Sequence, residues 1–120
     1  MNRIDEVFSK KKKGVLNIYF TAGYPKIDDT LRIARALEAA GVDLIEIGIP
    51  YSDPIADGPT IQDSSQKALD AGMSLKLLMK QLQDLRKYVK IPVILMGYIN
   101  PVLQYGFTKF CQDCKGVGID

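Results

Sequence analysis

The chain has 120 residues, 47% of them apolar and 25% charged, with a net charge of +2. That balance suits one globular domain with a core; it excludes a disordered tail, and the small charge gives no electrostatic case for nucleic acid. No run approaches the ~20 apolar residues of a membrane span. Asp5 and Glu6 stand where a signal peptide would be apolar, so the expected location is the cytoplasm, or an organelle interior if a targeting segment has been removed.

Two periods alternate along the chain. Asp5 to Lys11 opens a short helix with Ile4, Val7 and Phe8 on one face, and the basic run Lys10 to Lys13 is its solvated end. Val15 to Thr21 reads as a strand, with Leu16, Ile18 and Phe20 on one side and Asn17, Tyr19 and Thr21 on the other. Gly23-Tyr24-Pro25 turns the chain. Asp28 is placed to cap a helix over Asp29 to Ala40, closed by Gly41.

Val42 to Ile49 forms the second strand, ended by Pro50. A proline-rich loop from Tyr51 to Pro59 leads to a helix near Thr60 to Ala71. Ser74 caps a longer helix whose buried stripe is Leu75, Leu78, Leu82, Leu85 and Val89. Ile91 to Tyr98 is the third strand, and Asn100-Pro101 begins a loop. Phe107 to Lys115 is helical, stopped by Gly116, and Val117 to Asp120 has the pattern of a fourth strand's start. Cys111 and Cys114 lie late in that last helix, away from the strand-to-helix junction a redox pair requires. The chain has no histidine and no other cysteine, so the pair reads as half-buried thiols and no metal site is expected.

Strands separated by helices imply right-handed βαβ units and a parallel sheet. A doubly wound sheet would bury both strand faces in aliphatic residues. Here the polar and special residues share one face: Asn17, Tyr19 and Thr21; Leu44, Glu46 and Gly48; Ile94, Met96 and Tyr98. They gather toward the strand C-termini, which favours a barrel with its site at the top. The expected fold is therefore α/β, the N-terminal portion of a (β/α)₈ TIM barrel. Residues 1–120 form an incomplete single domain with an extra N-terminal helix, reaching the start of strand 4.

Two carboxylates stand out. Glu46 is alone in Leu44-Ile45-Glu46-Ile47-Gly48-Ile49, facing inward. A carboxyl group buried without a partner favours its neutral form and becomes usable as an acid or base near neutral pH. The plain alternative is an ion pair with a lysine or arginine. Asp57 lies 11 residues on; it sits in a loop of the kind that builds barrel active sites, but Asp-Gly is also a turn signal, and Asp57 or Thr60 could cap the next helix. Asp53 precedes a proline and suits a turn or a partner contact equally. Tyr98 either bonds a ligand or fills the core. No glycine-rich nucleotide loop is present.

The run Leu44-Ile45-Glu46-Ile47-Gly48-Ile49-Pro50-Tyr51-Ser52-Asp53-Pro54-Ile55-Ala56-Asp57-Gly58-Pro59-Thr60-Ile61-Gln62 resembles the signature of the tryptophan synthase α subunit family. Phe20 to Pro25 resembles that family's first strand and turn, and Met96 to Pro101 its third strand. Tyr51 and Ile55 stand where Phe and Leu are frequent. The resemblance implies a lyase of tryptophan biosynthesis, performing retro-aldol cleavage of indole-3-glycerol phosphate to indole and glyceraldehyde 3-phosphate. It implies Glu46 as the acid–base residue and Asp57 as the acceptor of the indole N–H. Tyr19 and Tyr98 would line the indole pocket. It implies no cofactor in this subunit. The partner would be a pyridoxal-phosphate β subunit in an α₂β₂ heterotetramer, with Pro50 and Asp53 in the facing segment. The rival expectations are another phosphate-handling barrel enzyme and an inactive half-barrel serving only as a binding surface.

Overall fold

The computed structural model describes residues 1–120. Helix α1 (Arg3–Lys10) begins where the Asn2 side-chain oxygen accepts the Asp5 N–H at 2.8 Å. Asp5 and Glu6 in its first turn and Lys10 in its last agree with the helix dipole. Ile4 and Val7 are half-buried, whereas Phe8 is 51% exposed and does not belong to the buried face expected for it.

Strand β1 (Asn17–Thr21) leads to α2 (Thr30–Ala39), β2 (Leu44–Gly48) and α3 (Pro59–Asp70). Asp29, not Asp28, occupies the cap of α2, and its carboxylate accepts from the Lys26 N–H instead of from the helix. Helix α4 (Leu75–Gln81) is capped by Ser74, which accepts from the Leu77 N–H at 3.1 Å. A 3₁₀ turn at Leu82–Asp84 separates it from α5 (Leu85–Tyr88), so the single helix expected here is broken. The expected stripe is still buried throughout, with Leu78, Leu82, Leu85 and Val89 wholly inaccessible to solvent.

After β3 (Val93–Met96), α6 (Ile99–Tyr105) replaces the loop expected at Asn100-Pro101. Pro101 is its third residue, where the backbone N–H has no helical acceptor to lose. Helix α7 (Phe107–Val117) runs through Gly116 and ends at Gly118, which has φ +85°. The left-handed turn lets Gly118 and Ile119 return their N–H groups to Cys114 O at 3.0 and 2.9 Å, so Gly118 is the true stop. A fourth strand is not formed, but the Asp120 N–H donates to Val93 O at 2.8 Å, the first rung beside β3.

The three strands pair in parallel in the order β1-β2-β3, following the chain. Ile45, Ile47 and Val93 on one face enter a 15-residue core with α4 and α5, and Ile18, Phe20 and Leu95 pack against it. The opposite face carries half-buried Tyr19, Glu46 and Ile94 and exposed Asn17 and Met96. One covered face and sequential strand order are the marks of a singly wound barrel segment, not of a doubly wound sheet.

The N-terminal end of this sheet is held by charge. Asp120, whose side chain is 5% exposed, receives Arg86 at 2.7 Å, Arg3 at 2.9 Å and the Val93 N–H at 3.0 Å. Arg86 also donates to the carbonyls of Gly118, Val89 and Ile91, using its planar fork to join α5, β3 and the end of α7. Lys11 pairs with Asp43 at 2.8 Å.

Candidate active site

The register of the sheet places Tyr19, Glu46 and Ile94 in one row across the inward face, with Thr21, Gly48 and Met96 in the next row toward the strand C-termini. Glu46 is half-buried, and it enters none of the chain's ion pairs. Its one hydrogen bond is from the Asn17 amide to Oε2 at 2.9 Å. Asn17 approaches from β1, one pleat toward the N-terminal end. It holds one carboxylate oxygen and leaves Oε1 without a protein partner. The full burial expected of Glu46 is not met within these 120 residues, because no opposite wall covers the inward face.

Tyr19 links Glu46 to the loop above it. Its ring leans over Gly48: a Cβ at that position would overlap the phenol oxygen and lie 2.5 Å from Cζ. A glycine in the strand interior is therefore what lets the ring cross β2. Burial pushes the Tyr19 phenol above its ordinary value; the Asp57 and Glu46 carboxylates add to this, and the Thr21 hydroxyl partly offsets it. Tyr19 thus remains a neutral hydroxyl at physiological pH, between the two carboxylates.

Asp57 lies in the β2–α3 loop. Helix α3 is capped at Gly58 with Pro59 behind it and no side-chain cap bond, so neither Asp57 nor Thr60 serves as the cap. The Asp57 carboxylate carries no hydrogen bond; its backbone carbonyl accepts from the Gln62 side chain at 2.7 Å. A cavity of about 180 Å³ is lined by Tyr19, Ile49, Asp57, Ser65, Met96 and Tyr98. Whole ligand sites hold about 300–1,000 Å³, so this is room for one part of a ligand, between two tyrosines and a free carboxylate. Beneath it the Thr21 and Ser64 hydroxyls bond at 2.7 Å, joining β1 to α3.

Tyr98 is placed at the cavity, but its hydroxyl is already occupied, accepting the Ile55 and Ala56 N–H groups at 3.1 and 3.0 Å. Its ring packs at a 33° tilt against Tyr51, with centroids 5.1 Å apart, and the Tyr51 hydroxyl accepts from Asn100 at 2.9 Å. Pro50 is buried and Asp53 is exposed, its carboxylate accepting from Ser52 at 2.8 Å. A larger groove, about 730 Å³, lies among α4, α6 and α7, well away from the carboxylates, and includes Lys76, Lys80 and Lys109. Cys111 is exposed rather than half-buried, and burial raises the Cys114 thiol to about 11, so it stays protonated near neutral pH. No three His, Cys, Asp or Glu side chains cluster as potential metal ligands, and no helix is long and apolar enough to cross a membrane.

Residues 6–120 match the family described as tryptophan synthase alpha chain. The chain belongs to the tryptophan synthase alpha chain family. It is 58% identical over all 120 residues to the tryptophan synthase alpha chain of Flavobacterium johnsoniae, covering 47% of that protein. The solved alpha subunit from Legionella pneumophila superposes with a TM-score of 0.93 at 39% identity, over 100% of this chain and 47% of the other. A structure described as the tryptophan synthase complex from Pyrococcus furiosus superposes at 0.81 with 40% identity, over 89% of this chain and 44% of that one. The chain spans about half the length of the curated relatives it matches. In a member of this family the three βα units are the N-terminal part of a (β/α)₈ barrel. Asn17, Gly48 and Ser65 were not legible as site residues: an asparagine on a strand, a strand glycine and a helix serine carry no motif. The inward alternation Asn17-Tyr19-Thr21 was the one available signal.

Proposed function

We propose that the protein carrying this chain cleaves indole-3-glycerol phosphate to indole and glyceraldehyde 3-phosphate in the cytoplasm, as a lyase of tryptophan biosynthesis. The observation that supports this reading is the pair Glu46 and Asp57. Glu46 pairs with Tyr19 across the β1–β2 ladder and Asp57 lines a cavity with Tyr19; both are free of ion pairs, and they occupy different settings, one on a strand and one on a loop. Such a pair divides acid–base work from charge stabilisation.

Glu46 delivers a proton to the indole carbon that bears the glycerol chain. Asp57 accepts the indole N–H and stabilises the positive charge of the indolenine form. Glu46, now a carboxylate, removes the proton from the hydroxyl on the adjoining carbon. The carbon–carbon bond breaks, its electron pair returns to the ring, and the hydroxyl carbon becomes the aldehyde. Every proton is accounted for, and the step draws on no redox group, so we assign this subunit no cofactor of its own. Tyr19 and Tyr98 flank the indole with their rings. A pyridoxal-phosphate β subunit is the proposed partner, in an α₂β₂ assembly. Exposed Asp53 and buried Pro50 lie together in the segment that would face it.

The full-length protein, given indole-3-glycerol phosphate, should release indole and glyceraldehyde 3-phosphate in equal amounts, while residues 1–120 alone should release none. The inward face of the 120 residues leaves Met96 50% exposed, without the wall that would enclose the substrate. Full-length protein that binds the substrate without forming indole would refute the assignment.

A further inference from the structure

We propose that Tyr98 is a positioning residue for Asp57, acting through the loop backbone, and that its hydroxyl is closed to the indole N–H. This rests on the reading of Asp57 given above. The Tyr98 oxygen accepts two consecutive backbone N–H groups, Ile55 at 3.1 Å and Ala56 at 3.0 Å. Neither amide has another acceptor. Ala56 directly precedes Asp57, and on the other side the Gln62 amide holds the Asp57 carbonyl at 2.7 Å. The backbone that presents Asp57 is thus fixed from both sides by side chains outside the loop tip.

Apolar burial does not hold this segment. Ile55 is 93% exposed, and Ala56 is exposed as well. The polar contact to Tyr98 is what ties the tip down. Tyr98 is itself braced by the tilted ring of Tyr51, 5.1 Å away between centroids, and Tyr51 by Asn100 at 2.9 Å. The start of α6 therefore sets the position of the β2–α3 loop.

The same geometry constrains ligand chemistry. A phenol oxygen offers two acceptor lone pairs and one proton. Both lone pairs of Tyr98 are engaged, so it can donate to a ligand but cannot accept from one. An N–H donor entering the cavity finds the unpartnered Asp57 carboxylate as its acceptor.

The test is Tyr98→Phe in the full-length protein, which keeps the ring and its stacking and removes only the acceptor. Amide exchange at Ile55 and Ala56, resolved by NMR, should quicken roughly tenfold. The kcat for indole release should fall roughly tenfold while KM changes less than about twofold, because Asp57 acts mainly on the charged intermediate. Unchanged exchange at both amides overturns the latch. Faster exchange with unchanged kcat overturns its role in positioning Asp57. If wild-type protein forms no indole, the proposed function fails, and the exchange comparison still decides whether Tyr98 holds the loop.

Discussion

Gly48→Ala adds one methyl group where the Tyr19 ring crosses β2. The new Cβ would overlap the phenol oxygen and lie 2.5 Å from Cζ and 2.8 Å from Cε2. Carbon atoms in good contact sit about 3.5–4.0 Å apart, so the ring must retreat by roughly 1 Å. The backbone has little freedom to help: Phe20 pairs with Ile47 and Thr21 with Gly48 in the β1–β2 ladder. The ring therefore swings toward the cavity lined by Asp57 and Met96. Overpacking of this kind costs about 1–3 kcal/mol of stability. A displacement of about 1 Å beside reacting groups costs on the order of 10²-fold in rate. Indole release by the full-length variant should accordingly drop by about 10²-fold in kcat/KM, with a modest fall in the urea midpoint. In a Tyr19→Ala background the obstruction is gone, so the added methyl should cost little more. Activity within about threefold of wild type, or an undiminished penalty without the Tyr19 ring, would refute the steric argument.

Three further outcomes follow from the structure. Asp57→Asn should lower kcat by about 10²-fold or more with a smaller effect on KM, since the lost charge matters most as the ring becomes cationic; a raised KM at constant kcat would make Asp57 an ordinary binding group. Arg86→Met removes the fork that serves Asp120 and three carbonyls, whose partner is 5% exposed, and should destabilise the full-length protein by about 3 kcal/mol in urea denaturation; a loss below about 1 kcal/mol would contradict the bracing role. The Lys11 ammonium and the Leu16 N–H hold the Asp43 carboxyl below its usual range, so its contribution is present above about pH 4 and disappears as pH falls through the depressed value. The difference in denaturation midpoint between wild type and Asp43→Asn should therefore exist at pH 7 and vanish in strong acid; a gap independent of pH would count against it.

The barrel was legible because burial obeys periodicity. Ile18, Ile45 and Ile47 alternate with Tyr19, Glu46 and Gly48, and the structure sends the first set into the core and the second to the inward face. Glu46 was visible as the sole charge in an aliphatic strand. Helix α6 was not, because Asn-Pro is a turn signal in general and a proline in a helix's first turn costs nothing. The end of α7 was misplaced by two residues because Gly116 and Gly118 look alike until the left-handed φ at Gly118 distinguishes them. The Tyr98 hydroxyl's engagement with Ile55 and Ala56 joins positions more than 40 apart, and no local pattern encodes it.

The central claim is that Glu46 transfers the proton. Glu46→Gln in the full-length protein keeps the side chain's shape and still offers Asn17 an oxygen to bond, but it cannot exchange a proton with substrate. Indole release under saturating indole-3-glycerol phosphate should fall by about 10²-fold or more while substrate affinity and thermal stability stay close to wild type. Turnover within a few-fold of wild type would show that Glu46 is a structural carboxylate and that the proton moves elsewhere.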